Sequence, residues 1–249
     1  MAQVAPAPAP ALPETGAGPG AGTGPEATRW QGWLQFGTAY TFASPAHLSQ
    51  FRLRGEIAGR GELGPGLKWK LSARAAHDAV FSINDFYPAA VRRDQQSELM
   101  LREAYVDFSR GNWEFRLGKQ NIVWGEMVGL FFADVVSAKD MREFVLPEFE
   151  QIRIPQWAAR AEWFQGDSHV EFVWLPAPAT DRIGKPGAEF YPYPPAVTGM
   201  PFETEGERRP TRRFSNGGFG LRASAAVSSS GRRSTLTMSS ACALTQVDW

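Results

Sequence analysis

Polar and apolar residues alternate with a period of two along most of the chain after Trp30. In residues 51–63, Phe51 and Leu53 share one side with the glycines, and Arg52 and Arg54 share the other with two glutamates. A helix would scatter these charges around its circumference and leave no apolar stripe, whereas a strand separates them onto two faces. The alternation therefore predicts β-strands with one charged and one apolar face.

The same pattern recurs in eight segments. They span residues 34–42, 51–63, 67–75, 99–109, 113–120, 156–165, 169–175 and 217–226. Turn-forming residues join some of these segments closely, at 64–66, 110–112 and 166–168, while the other connections are long, at 43–50, 76–98, 121–155 and 176–216. Short and long connections alternate, as they do in outer-membrane barrels, where consecutive strands cross the bilayer in opposite directions. The prediction is an all-β, antiparallel up-and-down transmembrane β-barrel with about eight strands here, either closed or an incomplete part of a larger barrel, with long extracellular loops.

A soluble β-sandwich or lipocalin-like barrel is the alternative fold. Long loops on one side only are unusual for it, and the apolar face, with Gly and Ala between large residues, is thin for a packed core. Aromatic residues also favour the membrane: Trp69, Trp113 and Trp163 lie near short turns, and Tyr40 and Trp174 lie near the opposite ends.

The termini differ from the strand region in composition. Residues 1–28 are mostly Ala, Pro and Gly and predict a disordered leader, residues 29–226 carry the strands and loops, and residues 227–249 form an atypical low-complexity tail. The start has no basic and apolar export signal, so a signal was either removed or lies upstream. The change in composition after Ala223 resembles a shifted frame or a truncation.

The composition excludes several classes of function. The 26 basic residues balance 26 acidic ones, which argues against nucleic-acid binding, and a single cysteine, Cys242, excludes an intrachain disulfide. The three histidines, His47, His77 and His169, have no partners at ligand spacing, and no nucleophile elbow or phosphate loop is present. We therefore predict no enzyme activity, no cofactor and no metal.

The charged strand face is the first candidate site. Its predicted members, which would point into the lumen, are Arg52, Arg54, Glu56, Arg60, Glu62, Lys68, Lys70, Arg74, Arg116, Arg160 and Glu162. A lipid-facing Arg or Lys near the bilayer midplane would cost roughly 2–4 kcal/mol, so these side chains should face inward. They form either a polar permeation path or a salt-bridged filling of a small barrel.

The connection 121–155 is the second candidate site, because so apolar a segment should not remain in water. Its candidate residues for a lumenal plug are Trp124, Glu126, Phe131, Phe132, Asp134, Lys139 and Asp140. Packing on the barrel rim is the alternative. Ser137 at the start of residues 138–144 predicts a short helix that Pro147 ends.

Several motifs carry a family resemblance. They are residues 101–108 (LREAYVDF), 117–120 (LGKQ), 123–126 (VWGE), 131–140 (FFADVVSAKD) and 154–160 (IPQWAAR). With these motifs the chain resembles the proteobacterial outer-membrane β-barrel family known as domain of unknown function 1302, over about residues 30–223, and looks like a truncated member. The resemblance implies outer-membrane lipid around the barrel, an RND-type exporter and a periplasmic lipoprotein-like companion as partners, and a hydrophobic small molecule or lipid as cargo.

The leading functional hypothesis is an outer-membrane channel or transporter for hydrophobic or lipid-like molecules, working with an envelope export system. A soluble periplasmic β-rich lipid-binding module is one alternative, since its apolar face would line a cavity. A non-functional truncated fragment with free sheet edges is another.

Overall fold

A computed structural model of the chain describes residues 28–124, 136–143, 149–191, 217–225, 228–229 and 232–233. Its strands are β1 Arg29–Thr41, β2 His47–Gly64, β3 Leu67–Asp78, β4 Ser97–Arg110, β5 Trp113–Gln120, β6 Ala138–Lys139, β7 Arg153–Ile154, β8 Gln156–Gln165, β9 Ser168–Leu175, β10 Gly218–Ala225, β11 Ser228–Ser229 and β12 Arg232–Arg233. Its helices are α1 Val80–Ile83, α2 Ala89–Gln95 and α3 Phe149–Ile152.

Eight of these strands form one antiparallel sheet in the order β1-β2-β3-β4-β5-β8-β9-β10. Each strand pairs with the preceding sheet strand in the chain, so the sheet is an up-and-down meander. All eight predicted strands are present, and the predicted all-β antiparallel class is confirmed. β1 and β10 are the two ends of this sheet. No helix in the described part of the chain is both long and apolar enough to cross a membrane.

The connections separate into two kinds at the two ends of the sheet. At the short-turn end, two residues join each hairpin: 65–66, 111–112 and 166–167. Gly66, Gly111 and Gly166 have φ of 73°, 60° and 54°, the left-handed conformation that these tight turns require. At the long-loop end, residues 79–96, 121–155 and 176–217 make the connections. The first predicted long connection, 43–50, is wrong: β2 begins at His47, so only residues 42–46 remain outside the strands.

The apolar face of the sheet is exposed. Leu34 and Ile57 keep 74% and 56% of their surface accessible in β1 and β2. Leu117 in β5 and Phe219 in β10 are also exposed, so the feature extends across the sheet. The aromatic rings on this face form pairs, with 6.1 Å between the centroids of Trp30 and Trp69, and 6.5 Å between those of Trp113 and Trp163.

A small apolar cluster lies at the long-loop end. The carboxylate of Asp78, the last residue of β3, accepts hydrogen bonds from the backbone N–H groups of Phe51 and Val80, and so fixes the start of α1. Helices α1 and α2 bring together the buried residues Val80, Phe81, Tyr87 and Val91, with Ala188 added from the connection after β9.

The predicted helix over residues 138–144 is wrong across its described part. Residues 138–139 form strand β6, which pairs antiparallel with β7. Asp140 forms a parallel bridge with Arg182, a partner far away in the sequence. Pairing with distant segments therefore overrides the local signal that Ser137 gives for a helix.

Candidate functional site: the polar face and the segments that cover it

The second face of the sheet carries the charged residues and is called the polar face below. Strand registry places all eleven predicted charged residues on it. Five side chains form one row across five strands: Glu62 opposite Lys68, Lys68 opposite Asp107, Asp107 opposite Arg116, and Arg116 opposite Arg160. Such cross-strand neighbours lie about 5 Å apart, so charges of opposite sign can pair along the row.

A β-bulge adds one further charge, Arg102, to the polar face beside Glu103. The pairing of β3 with β4 shifts between Ser72 and Ala73, and Arg102 is the extra residue in β4. As a result Arg102 and Glu103, although adjacent in the chain, both point to the polar face. Arg102 Nε lies 4.0 Å from a carboxylate oxygen of Glu56, and the Lys70 ammonium lies 2.6 Å from Glu103.

Two segments cover the polar face. The first, the covering loop, consists of the described residues of the connection between β5 and β8: 121–124, 136–143 and 149–155. The second, the strap, consists of residues 176–191 after β9. Both make side-chain and backbone contacts to the sheet, and they cover the part of the polar face near the long-loop end.

Arg52, Arg54, Arg74 and Arg102 form an arginine cluster beneath the covering loop. Arg52 binds both carboxylate oxygens of Glu143 through its two terminal nitrogens, with 2.8 Å between Nη2 and Oε2. Arg54 Nη2 donates to the same carboxylate at 3.0 Å.

The other two members of the cluster are Arg74, which binds a carboxylate of the sheet, and Arg102, which binds backbone carbonyls of the covering loop. Arg74 donates to Glu56 at 2.9 and 3.0 Å. Arg102 donates to the carbonyl oxygens of Glu150 and Arg153, at 2.6 Å each. The cluster thus ties the covering loop to strands β2, β3 and β4.

A second group of ion pairs, centred on Glu98, joins the covering loop to the strap. Arg142 donates to Asp140 at 2.6 Å and to Glu98 at 2.8 Å. Arg182 of the strap donates to the same Glu98 at 2.5 Å, and its backbone pairs with Lys139 and Met141 at 2.8 Å. Burial alone would raise the pKa of the Asp140 carboxyl, but its hydrogen bonds with Arg142 outweigh burial and hold that pKa below the ordinary value.

The start of the covering loop is anchored by Trp124. Its indole nitrogen donates to Glu171 at 2.9 Å, and its ring lies in a buried cluster with Ile122, Val173 and Leu175. Gly220 of β10 makes this position possible, because a Cβ atom there would come within 2.5 Å of an indole carbon.

Substitution of Gly220 by alanine is expected to displace Trp124 and loosen the covering loop. Overpacking of this kind costs about 1–3 kcal/mol. Limited proteolysis of the folded protein should therefore cut the covering loop faster in Gly220→Ala. Gly64→Ala is the matched control, since a Cβ atom at Gly64 meets nothing within 4 Å, and its cleavage rate should equal that of the wild type. Equal rates in both variants would contradict the role given to Gly220.

The strap runs backwards across the sheet. From β9 it first meets β8, where the Ala179 N–H donates to Gln156 at 2.7 Å. It then reaches Glu98 of β4 through Arg182, and Gly187 lies against the ring of Pro88.

The strap is held at its far end by Glu189. This carboxylate accepts from Thr41 of β1 at 2.7 Å, from His47 of β2 at 2.9 Å and from Tyr87 at 3.1 Å. Burial alone would raise the pKa of the Glu189 carboxyl, but these three hydrogen bonds hold it below the ordinary value. The pKa of the Tyr87 hydroxyl is raised, because the hydroxyl is buried next to the Glu189 carboxylate. The strap therefore connects β9 with β1 and β2.

The rest of the polar face carries local ion pairs towards the short-turn end. Arg116 donates to Asp107 at 2.6 Å and lies over the Tyr105 ring, and Arg160 pairs with Glu162 at 2.5 Å. Arg60 and Lys68 are exposed.

Of the predicted plug residues, Trp124, Lys139 and Asp140 lie in the covering loop over the polar face. Glu126, Phe131, Phe132 and Asp134 lie outside the described residues, as do the leader up to residue 27 and most of the tail.

Sequence reasoning missed several residues of the site. They are Glu98, Arg102, Glu103, Asp107, Arg142, Glu143, Glu171, Arg182 and Glu189. Arg102 and Glu103 carried a usable signal, because two adjacent charges between Leu101 and Ala104 break the alternation where a bulge occurs. The loop residues Arg142, Glu143, Arg182 and Glu189 had no such sequence signal, since most of their partners lie tens of residues away.

Comparison with known proteins gives one family match. A family model described as Protein of unknown function (DUF1302) matches residues 9–169, which is more than half of the chain. No curated protein matches the chain significantly.

Proposed function

The chain belongs to the DUF1302 family, and we propose that its sheet is part of the wall of an outer-membrane β-barrel that moves hydrophobic or lipid-like molecules through a loop-covered lumen. One observation carries the proposal: the apolar face of the sheet is exposed, whereas the covering loop and the strap cover part of its charged face. A water-soluble β protein has the opposite arrangement, with apolar side chains inside and charges outside.

The exposed apolar face supports a lipid environment. Large apolar side chains are exposed on every strand of the main sheet, from Leu34 in β1 to Leu221 in β10. An apolar patch of this extent is far larger than a soluble monomer normally leaves in water. In a bilayer the same face would contact acyl chains, and the paired tryptophans would lie at the interface with the head groups.

The soluble lipid-binding alternative requires a cavity lined by the apolar face. In the described part of the chain, the covering loop and the strap lie on the polar face instead, and they bring Glu143, Arg142 and Glu189 against it. The arrangement therefore favours the membrane protein over the soluble module.

The covered polar face supports a conduit that is closed in this conformation. The covering loop and the strap would lie inside or over the lumen of a barrel that this sheet helps to enclose, and either segment would have to move for a solute to pass. The family resemblance is what supports the remaining parts of the proposal. They are the hydrophobic cargo, the RND-type exporter and the periplasmic lipoprotein-like companion.

Membrane fractionation combined with heat-shifted gel mobility tests the proposal. The expected result is a protein in the outer-membrane fraction that migrates differently before and after boiling. Recovery as a soluble periplasmic monomer would overturn it. Uptake of a fluorescent fatty-acid analogue by liposomes containing the purified full chain then tests transport, with empty liposomes as the control.

Acidification is expected to release the covering loop and the strap. Burial would raise the pKa of Glu143, but Arg52 and Arg54 lower it, and the pKa values of Asp140 and Glu189 are lowered as well. Because the folded-state pKa values are depressed, these contacts stabilise docking fully above the ordinary carboxyl values of 3.8 and 4.5 and lose that contribution as the pH falls through the folded values.

Hydrogen–deuterium exchange, with rates corrected for the pH dependence of free amides, checks this prediction. Amides of residues 136–143 and 149–191 should exchange slowly at pH 6 and faster below about pH 4, near the ordinary pKa of these carboxyls. In the variant Asp140→Asn/Glu143→Gln they should already exchange faster at pH 6. Equal corrected exchange in both proteins across the whole range would contradict the assignment.

A further inference from the structure

Within the described residues, the arginine cluster has more positive charge than the carboxylates that pair with it. Glu56 and Glu143 are the carboxylates within 4.0 Å of Arg52, Arg54, Arg74 and Arg102, which leaves two positive charges over. Glu98 and Glu103 also attract Arg54 or Arg102 from a greater distance, but their ion pairs are with other cations, Arg142, Arg182 and Lys70. The other contacts of the cluster are to neutral groups, such as the carbonyls of Glu150 and Arg153. Arg102 is only 4% exposed, so water does little to offset this excess.

Glu143 occupies the cluster in the manner of a ligand. Both of its oxygens bind the two terminal nitrogens of Arg52, and one of them also accepts from Arg54. This fork is the geometry by which arginine binds free carboxylates and phosphates. Glu143 belongs to the covering loop rather than to the sheet, whereas the arginines project from rigid strands, so the site persists when the carboxylate leaves it.

The geometry points to an oxyanion-binding site in which Arg52, Arg54, Arg74 and Arg102 take the carboxylate or phosphate group of an incoming ligand in place of Glu143. This inference rests on the proposed function and narrows its cargo to molecules with an anionic group. An oxyanion that replaces Glu143 removes one of the ties that hold the covering loop to β2. Ligand binding and loop release are therefore coupled through one carboxylate.

Binding of sodium octanoate to the full chain in neutral dodecyl maltoside micelles, measured by calorimetry, tests the site. Glu143→Gln removes the competing carboxylate and should bind octanoate at least ~10-fold more tightly than the wild type, the order of effect of one charge-assisted contact. Arg54→Gln should lose most of the binding. The controls are Glu150→Gln, since the Glu150 side chain is exposed and only its carbonyl contacts the cluster, and Arg93→Gln, an exposed arginine of α2. Both should bind like the wild type.

Three further probes identify what the site accepts. Octyltrimethylammonium has a similar tail and the opposite charge, and should not gain affinity in Glu143→Gln. Acetate and inorganic phosphate test free anions: if they bind Glu143→Gln as well as octanoate does, the ligand is a small oxyanion, and if they do not, it is an amphiphile head group.

An unchanged affinity for octanoate, acetate and phosphate in Glu143→Gln would overturn the inference, and so would an equal gain for the ammonium compound. Gel mobility of the same preparations separates the two proposals. A heat-shifted protein without anion binding refutes the site alone, whereas a protein without a heat shift refutes the barrel.

Discussion

Replacement of Ile57 by arginine is expected to abolish assembly into the membrane. Ile57 lies in the middle of β2 and keeps 56% of its surface exposed on the apolar face. At an exposed site in water such a change usually alters stability by less than ~0.5 kcal/mol. Facing lipid near the bilayer midplane, an arginine costs about 2–4 kcal/mol. The substitution thus has opposite expected outcomes in the two environments.

The measurement is the fraction of protein that shows heat-shifted mobility after refolding into phosphatidylcholine vesicles. Ile57→Leu, which keeps the side chain apolar and of equal size, is the matched control and should assemble normally. A second control, Arg60→Gln, changes an exposed residue of the same strand on the polar face and should also assemble. Normal assembly of Ile57→Arg would show that the apolar face does not meet lipid.

Loss of the Arg142 charge is expected to undock the covering loop and the strap together. Arg142 is the cation between Asp140 and Glu98, and its side chain is 13% exposed. Removing one partner of a buried pair costs ~3–5 kcal/mol, and the lower end applies here because Arg182 still contacts Glu98 and Asp140 and both carboxylates keep some exposure. In Arg142→Gln the polar face should become accessible over the whole pH range.

Conductance of single proteins in planar bilayers reports this change directly. Arg142→Gln should show open events at neutral pH that the wild type lacks. Arg92→Gln is the control, because Arg92 pairs with Asp85, whose side chain is 96% exposed, and such surface pairs contribute at most ~1 kcal/mol. A closed Arg142→Gln would mean that other contacts hold the segments, the arginine cluster first among them.

The strands could be predicted from the sequence because each has one polar and one apolar face. The predicted strand boundary was wrong where this alternation of polar and apolar residues is interrupted. At the start of β2, the register with β1 shifts between Ala39 and Tyr40, so the alternation visible from Phe51 onward does not continue back to His47. Strand β2 was therefore predicted to begin four residues too late, and the connection before it was predicted too long.

The strand residues of the site could be predicted from the sequence, but its loop residues could not. The charges on β2 and β3 follow from alternation, whereas Glu143, Arg182 and Glu189 reach the polar face through loop paths that no local pattern encodes. Helix α2 did have a local signal, since Pro88 precedes Ala89 and Ala90, both good helix formers. Strand β6 had the opposite problem: its partner β7 lies beyond residues 144–148, so a local helix signal at Ser137 predicted the wrong element.

The reach of the strap fixes an order of events in folding. The hydrogen bond between Thr41 and Glu189 joins residues 148 positions apart, and the chain between them includes strands β2 to β9. Closing so long a loop is entropically costly until the intervening hairpins have shortened it. Hairpins closed by two-residue turns form first, because their contacts are local, and non-local contacts form slowly. The hydrogen bond between Thr41 and Glu189 consequently forms late in folding. Kinetically trapped refolding intermediates should contain the hairpins but lack this hydrogen bond.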